Sequence, residues 1–132
     1  MILLDTNILM YAAGAAHAFK QPSARLLERI ARGEIAATLD AETLQEILHR
    51  YRAINRWTDG ATLYDLTRKI FPNVIPISGD IVDRARELMD TSASLTARDA
   101  LHAAVVQVKK LDAICSYDRD FDQVAFLRRV EP

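Results

Sequence analysis

One cysteine, Cys115, and four glycines are all that 132 residues contain of those types. A lone cysteine excludes an internal disulfide, and its place in the apolar run Ala113-Ile114-Cys115 predicts a buried thiol in a reducing compartment. Glycine is too sparse for a phosphate-cradling loop, and neither His-Glu-x-x-His nor a cysteine-rich zinc spacing occurs. Long apolar runs are also missing. None approaches the roughly 20 residues that span a bilayer. The apolar start Met1-Ile2-Leu3-Leu4 has no basic flank and is interrupted by Asp5, so neither a signal peptide nor a membrane association is expected, and the location expected is cytoplasmic. A formal charge of −1 supplies no general attraction to nucleic acid, so any such binding must come from local patches. Arg50, Arg52 and Arg56 near Tyr51 and Trp57 form one; the pairs Arg68-Lys69, Lys109-Lys110 and Arg128-Arg129 equally suit a solvated surface.

What is present is the mix of an ordinary folded protein, 50% hydrophobic and 27% charged, in a length that suits one domain over residues 1–132. Ile2 to Leu4 reads as a short buried strand ending in Asp5, with a helix from about Ile8. Gly14 and Pro22 bracket a polar loop; Ala24, Leu26, Leu27, Ile30 and Ala31 then recur at helical spacing until Gly33, and Ile35 to Leu39 makes a second strand. Leu44, Ile47, Leu48, Tyr51 and Ile54 mark a helix from Asp40, its expected N-cap, and another runs from about Asp59 to Phe71. Val74 to Ile77 is a third expected strand, followed by a helix from Ser78-Gly79-Asp80 to about Met89 and a loop over 91–96. Ala97 to Lys110 is apolar on nearly every side and predicts a central buried helix; strands follow at Ala113 to Ser116 and near Val124 to Val130, the last at a sheet edge. Strands alternating with helices imply an α/β fold, a mainly parallel sheet of four to five short strands between two helical layers. Ligands of such sheets bind beyond the carboxyl ends of the strands.

That rule gives three acids weight. Asp5 ends the first strand, Asp118 lies just past the strand at Ala113 to Ser116, and Asp99 opens the buried helix between them. If the two strands are neighbours, the carboxylates converge, and their repulsion calls for a cation or a proton among them. Each acid also has a local role open to it. Asp5 can cap the helix after Thr6-Asn7, Asp118 or Asp120 can hold a turn, and Asp99 falls three residues after Thr96 in a near capping box.

Asp5-Thr6-Asn7 after an N-terminal strand, Leu44-Gln45-Glu46-Ile47-Leu48 at midchain, Arg98-Asp99-Ala100-Leu101-His102-Ala103-Ala104, and Ser116-Tyr117-Asp118-Arg119-Asp120-Phe121 occur in that order over nearly the whole chain. This series resembles the signature of PIN-domain nucleases, especially the VapC-type toxins. The resemblance implies a three-layer PIN-like fold and an acidic quartet of Asp5, Glu46, Asp99 and Asp118, with Asp5, Asp99 and Asp118 as metal ligands and Asn7, Ser116 and Asp120 as support. It implies an endoribonuclease, RNA as substrate, a cognate antitoxin protein, a homodimer, and products with 5′-phosphate and 3′-hydroxyl ends. Mg²⁺ or Mn²⁺ in such a cage lowers the pKa of a bound water and neutralises a phosphodiester oxygen, which permits in-line hydrolysis without a protein nucleophile.

Helical phase alone sets Glu46 away from the Leu44, Leu48 and Tyr51 stripe, beside Glu42 and His49, where a surface pair with Arg50 is an equal reading. His102, three residues after Asp99, reads as a satisfied core or supporting residue, and His17 and His49 as surface residues. Three other functions compete. A receiver-type phosphoacceptor domain needs adjacent acids after the first strand and a lysine at a strand end, but only Asp5 is there and Lys109 falls late in a helix. A haloacid-dehalogenase-like phosphatase needs a second acid where Asn7 stands. A catalytically silent PIN-like binding domain is disfavoured because all four acidic positions are filled.

Overall fold

The computed structural model describes residues 1–132. Strand β1 (Ile2–Leu4) is central, flanked by β2 (Ala37–Thr38) and β3 (Ala113–Cys115), with β4 (Arg129–Val130) beyond β3. All three pairings are parallel. Between the strands run α1 (Thr6–Ala13), α2 (Lys20–Ala31), α3 (Ala41–Ala53), α4 (Trp57–Ile70), α5 (Gly79–Thr91) and α6 (Ala97–Val108), and a 3-10 turn (Arg119–Gln123) precedes β4.

Alternation along β1 and β3 separates two cores. Leu3 and Ile114 face Ile81, Ala85 and Leu88 of α5, Ala100 to Val106 of α6, and Phe121, Val124 and Leu127. Leu4 and Cys115 face the opposite way, onto Ile8 and Leu9 of α1, Leu26 of α2, Ile47 and Tyr51 of α3 and Leu63 of α4. Because successive strand residues point to opposite faces, a three-residue strand buried on both sides must be apolar throughout, as Ile2-Leu3-Leu4 is. The result is the expected three-layer arrangement, α1 to α4 on one face and α5 and α6 on the other.

Three expected strands are smaller than the sequence predicts, and the first of them, Ile35 to Leu39, narrows to Ala37–Thr38. Val74 to Ile77 contributes only a bridge between Ile75 and Asp40, with Ala41 N donating to Ile75 O and Ile75 N to Leu39 O at 2.9 and 2.8 Å. Pro76 follows directly and has no N–H with which to extend the ladder. Val124 to Val130 shrinks to Arg129–Val130 because Phe121, Val124 and Leu127, three residues apart, turn repeatedly into the core, with Val124 N bonded to Phe121 O and Leu127 N to Val124 O. The remnant does lie at the sheet edge. Its Arg129 is held by Asp122 at 2.9 Å and Glu131 at 2.8 Å. Pro22 lies inside the first turn of α2, where a missing N–H costs nothing, so that helix begins earlier than the proline suggests.

Helix α4 crosses α3 at close range through Gly60. A Cβ there would overlap Tyr51 Cβ and stand 2.9 Å from Tyr51 Cγ, in the middle of the second core. Gly60→Ala is therefore expected to lower stability by about 1 to 3 kcal/mol despite the better helix propensity of alanine. Denaturant unfolding of the two proteins checks this; an unchanged or raised midpoint would mean that α3 and α4 separate freely.

Candidate acidic active site

The parallel ladder carries Asp5 out of the sheet in register with β3, since Asp5 N donates to Cys115 O at 3.0 Å. Its carboxylate then meets Ser116, the first residue past β3, whose hydroxyl donates to Asp5 Oδ2 at 2.5 Å. That hydroxyl oxygen also accepts from Asn7 Nδ2 at 3.2 Å and from Asp118 N at 2.9 Å. Ser116 is fully buried. One side chain thus joins the end of β1, the start of α1 and the turn after β3. Asp118 turns its own Oδ1 toward Asp120 N at 2.9 Å, which caps the 3-10 turn. From the other layer, Thr96 Oγ1 accepts from Asp99 N at 3.2 Å and fixes the first turn of α6. The local roles open to Asp118 and to the Thr96–Asp99 cap are thus realised alongside their convergence, whereas the Asp5 side chain makes no capping bond to α1.

Glu46 turns inward. The buried stripe of α3 is Thr43, Ile47 and Tyr51, with Leu44 and Leu48 only half-buried, so the phase of the helix is rotated from the expected one. The alternative surface pair with Arg50 is not formed. Instead Glu46 Oε1 lies 2.9 Å from His102 Nε2, and His102 Nδ1 lies 2.6 Å from Asp40 Oδ2. Asp40 and His102 are both fully buried, and Asp40 Oδ1 still accepts from Thr43 N at 3.1 Å as the α3 N-cap. With a carboxylate at each ring nitrogen, His102 carries both protons. Burial opposes that charge, but Asp40 and Glu46 outweigh it and hold its pKa well above the usual histidine value. Sequence reading found the Asp40 cap and His102 separately but not their contact, which joins residues 62 apart. The only hint was spacing: His102 follows Asp99 by one short helical step and so faces the same way.

Asp5, Glu46, Asp99 and Asp118 line one open cleft of about 520 Å³ at the carboxyl end of the sheet, together with Thr6, Asn7 and Arg98. Glu42 does not line this cleft, and its carboxylate lies 4.0 Å from Arg98. Asp120 is exposed, yet one of its carboxylate oxygens comes within 4.8 Å of Asp99 and Asp118. Burial raises the pKa of Asp5, an effect opposed by the His102 charge and the Ser116 bond. Asp99 is pushed up to about 6 by burial first, then by the charges of Asp118 and Asp5. The donors suit a hard divalent cation: they are carboxylate oxygens, and two further oxygens on residues lining the cleft, Thr6 Oγ1 and Asn7 Oδ1, are buried without a hydrogen-bond partner. His102 has both nitrogens engaged and is not available as a ligand.

A family model described as PIN domain matches residues 2–127. The VapC ribonuclease Mb1869c of Mycobacterium bovis is 40% identical, covering 98% of this chain and 99% of that protein. Among solved structures, the fold matches Mycobacterium tuberculosis VapC20, described as a sarcin-ricin loop cleaving toxin, with a TM-score of 0.80 at 16% identity and full coverage of both chains. A toxin–antitoxin complex from Klebsiella pneumoniae matches with a TM-score of 0.70 at 21% identity, over 97% of this chain and 96% of that one.

The crowding of acids has a stability signature. Asp99 binds its proton more tightly in the folded chain, with a pKa of about 6 against an ordinary 3.8, so the metal-free protein should lose stability as pH rises from about 4 to 6. Asp99→Asn removes that loss. Thermal unfolding in chelator should find the variant more stable than the parent at about pH 7 and the difference gone near pH 4. A variant less stable at the higher pH would mean that Asp99 is not under repulsion.

Proposed function

The chain belongs to the PIN-domain family, and from that membership we propose that it is a metal-dependent endoribonuclease, the toxin component of a toxin–antitoxin pair. The observation that carries the reading is the meeting of Asp5, Glu46, Asp99 and Asp118, from four distant parts of the sequence, in one cleft at the carboxyl edge of a parallel sheet. Full-length likeness to a VapC ribonuclease supports the enzyme class, and that likeness supports an antitoxin partner as well.

Asp5, Asp99 and Asp118 are the residues that would hold Mg²⁺ or Mn²⁺, with Glu46 completing the acidic wall. Once bound, the ion supplies positive charge for a phosphodiester oxygen and lowers the pKa of a water. The protein's own part is placement. Ser116 fixes Asp5 and the turn that bears Asp118, while Asn7 stands beside them with its carbonyl oxygen unpartnered. His102 holds one oxygen of Glu46 and leaves the other free. The chain acts as a single domain over residues 1–132, as a homodimer in the cytoplasm, and is silenced by an antitoxin segment received near the cleft.

Purified protein should cleave RNA only with Mg²⁺ or Mn²⁺ present. Asp5→Asn and Asp99→Asn should abolish cleavage with the fold retained, while Asp120→Asn keeps substantial activity. In thermal unfolding, metal at about a hundred times its dissociation constant should stabilise the parent by roughly 2.7 kcal/mol and Asp5→Asn much less. Equal metal responses, or cleavage that survives in chelator, would remove the metal site from the mechanism.

A further inference from the structure

The acidic cleft repels the substrate it is proposed to cut. Its lining sets Asp5, Glu46, Asp99 and Asp118 against a single arginine, Arg98, which is already near Glu42. An RNA strand crossing it must be held from beside it, because phosphate binding depends on cations. A second open cavity, of about 510 Å³, adjoins the cleft and shares Asn7 and Met10 with it. No acid lines this cavity, and two arginines do: Arg50, which makes no ion pair, and Arg56, held by Asp59 at 2.8 Å.

One wall of the cavity is aromatic. Tyr11 and His17 line it with ring centroids 4.8 Å apart. The imidazole is oriented, since its Nδ1 accepts from Phe19 N at 3.1 Å, which leaves the proton on Nε2. Behind them Phe19 and Tyr117 stack at 3.7 Å with planes 5° apart, and Tyr11 stands edge-on to both. Tyr117 directly precedes Asp118, so the same segment braces the wall and supplies an acid to the cleft. The pieces are a rigid aromatic surface, an oriented donor and a free guanidinium, one cavity away from the candidate cutting site.

We propose that this cavity is a nucleotide subsite, in which an unpaired base flanking the cut lies against Tyr11 and His17 and its phosphate meets Arg50 and Arg56. The assignment rests on the ribonuclease reading for its orientation relative to the cut. The volume lies within the range of about 300 to 1,000 Å³ usual for small-ligand sites. Only an unpaired base can enter, because a base inside a duplex has both faces stacked and its pairing edge engaged. The substrate is therefore single-stranded or looped at this position.

Two measurements on the full chain separate the subsite from the activity. Equilibrium binding of a fluorescein-labelled pool of single-stranded oligoribonucleotides, and of the same pool annealed to its complements, is read by polarisation in chelator; cleavage is read separately with Mn²⁺. Parent protein should favour the single strands, and Tyr11→Leu, His17→Ala and Arg50→Gln should each weaken that binding about tenfold. His17 and Arg50 are exposed, so these two variants should unfold at the parent's temperature. Binding that is lost in the variants with no cleavage by the parent sustains the subsite and sinks the ribonuclease reading. Cleavage by the parent with unchanged binding in all three variants overturns the subsite. Equal weakening for single and double strands upon Arg50→Gln, with no effect of Tyr11→Leu or His17→Ala, reduces the cavity to a patch of charge and overturns it as well.

Discussion

A hydroxyl group holds sheet and cleft together. Ser116 is the first residue beyond β3, and its Oγ touches Asp5, Asn7 and the backbone of Asp118 within hydrogen-bonding distance. Were β1 and β3 not neighbours in parallel register, that hydroxyl would have nothing to join. The register in turn rests on Leu3 opposite Ile114 and Leu4 opposite Cys115, each pair buried in a different core. A slip by one residue would send each of these side chains to the wrong face and move Asp5 away from its donor. Hydrophobic alternation in three residues therefore sets the position of a carboxylate.

Against that order stands electrostatic strain. Burial pushes both Asp5 and Asp99 above their ordinary pKa values, and neighbouring charge adds to it, Glu46 at Asp5 and Asp118 with Asp5 at Asp99. The protein answers with a cation of its own, His102, sealed between Asp40 and Glu46 where water cannot reach it. An arginine in that place would have had five donors to satisfy in a space with two acceptors. Histidine offers two, and the two carboxylates take both. The interior charge is thus offset in part, one cation against two carboxylates, while the mouth of the cleft stays short of positive charge.

Much of this was legible in the sequence. Asp5, Asp99 and Asp118 could be placed because each sits next to an apolar run whose type is plain, and a parallel sheet puts the ends of such runs together. Glu46 could be placed only by the resemblance, because the Leu44, Leu48 and Tyr51 stripe leaves it on the far side; burial centres instead on Thr43, Ile47 and Tyr51, and Glu46 comes round to line the cleft. The strands at Val74 to Ile77 and Val124 to Val130 were overcounted for a similar reason. Short apolar runs do not distinguish a strand from a chain that turns into the core every third residue, as Phe121, Val124 and Leu127 do. The Asp40–His102 contact lies outside what periodicity can reveal, since it depends on how α3 and α6 approach across the end of the sheet.

The central strand is made before every helix of the fold, and its partner β3 after all six. Asp5 and Ser116 are separated by 111 positions. Synthesis proceeds from the amino end, so β1 waits without β3 while the six helices emerge. The helices can form in that interval, but the cleft cannot, because Ser116 and Asp118 are made only after the last of them. A nascent chain is therefore without its cleft until Asp118 has left the ribosome, however early the helices take shape.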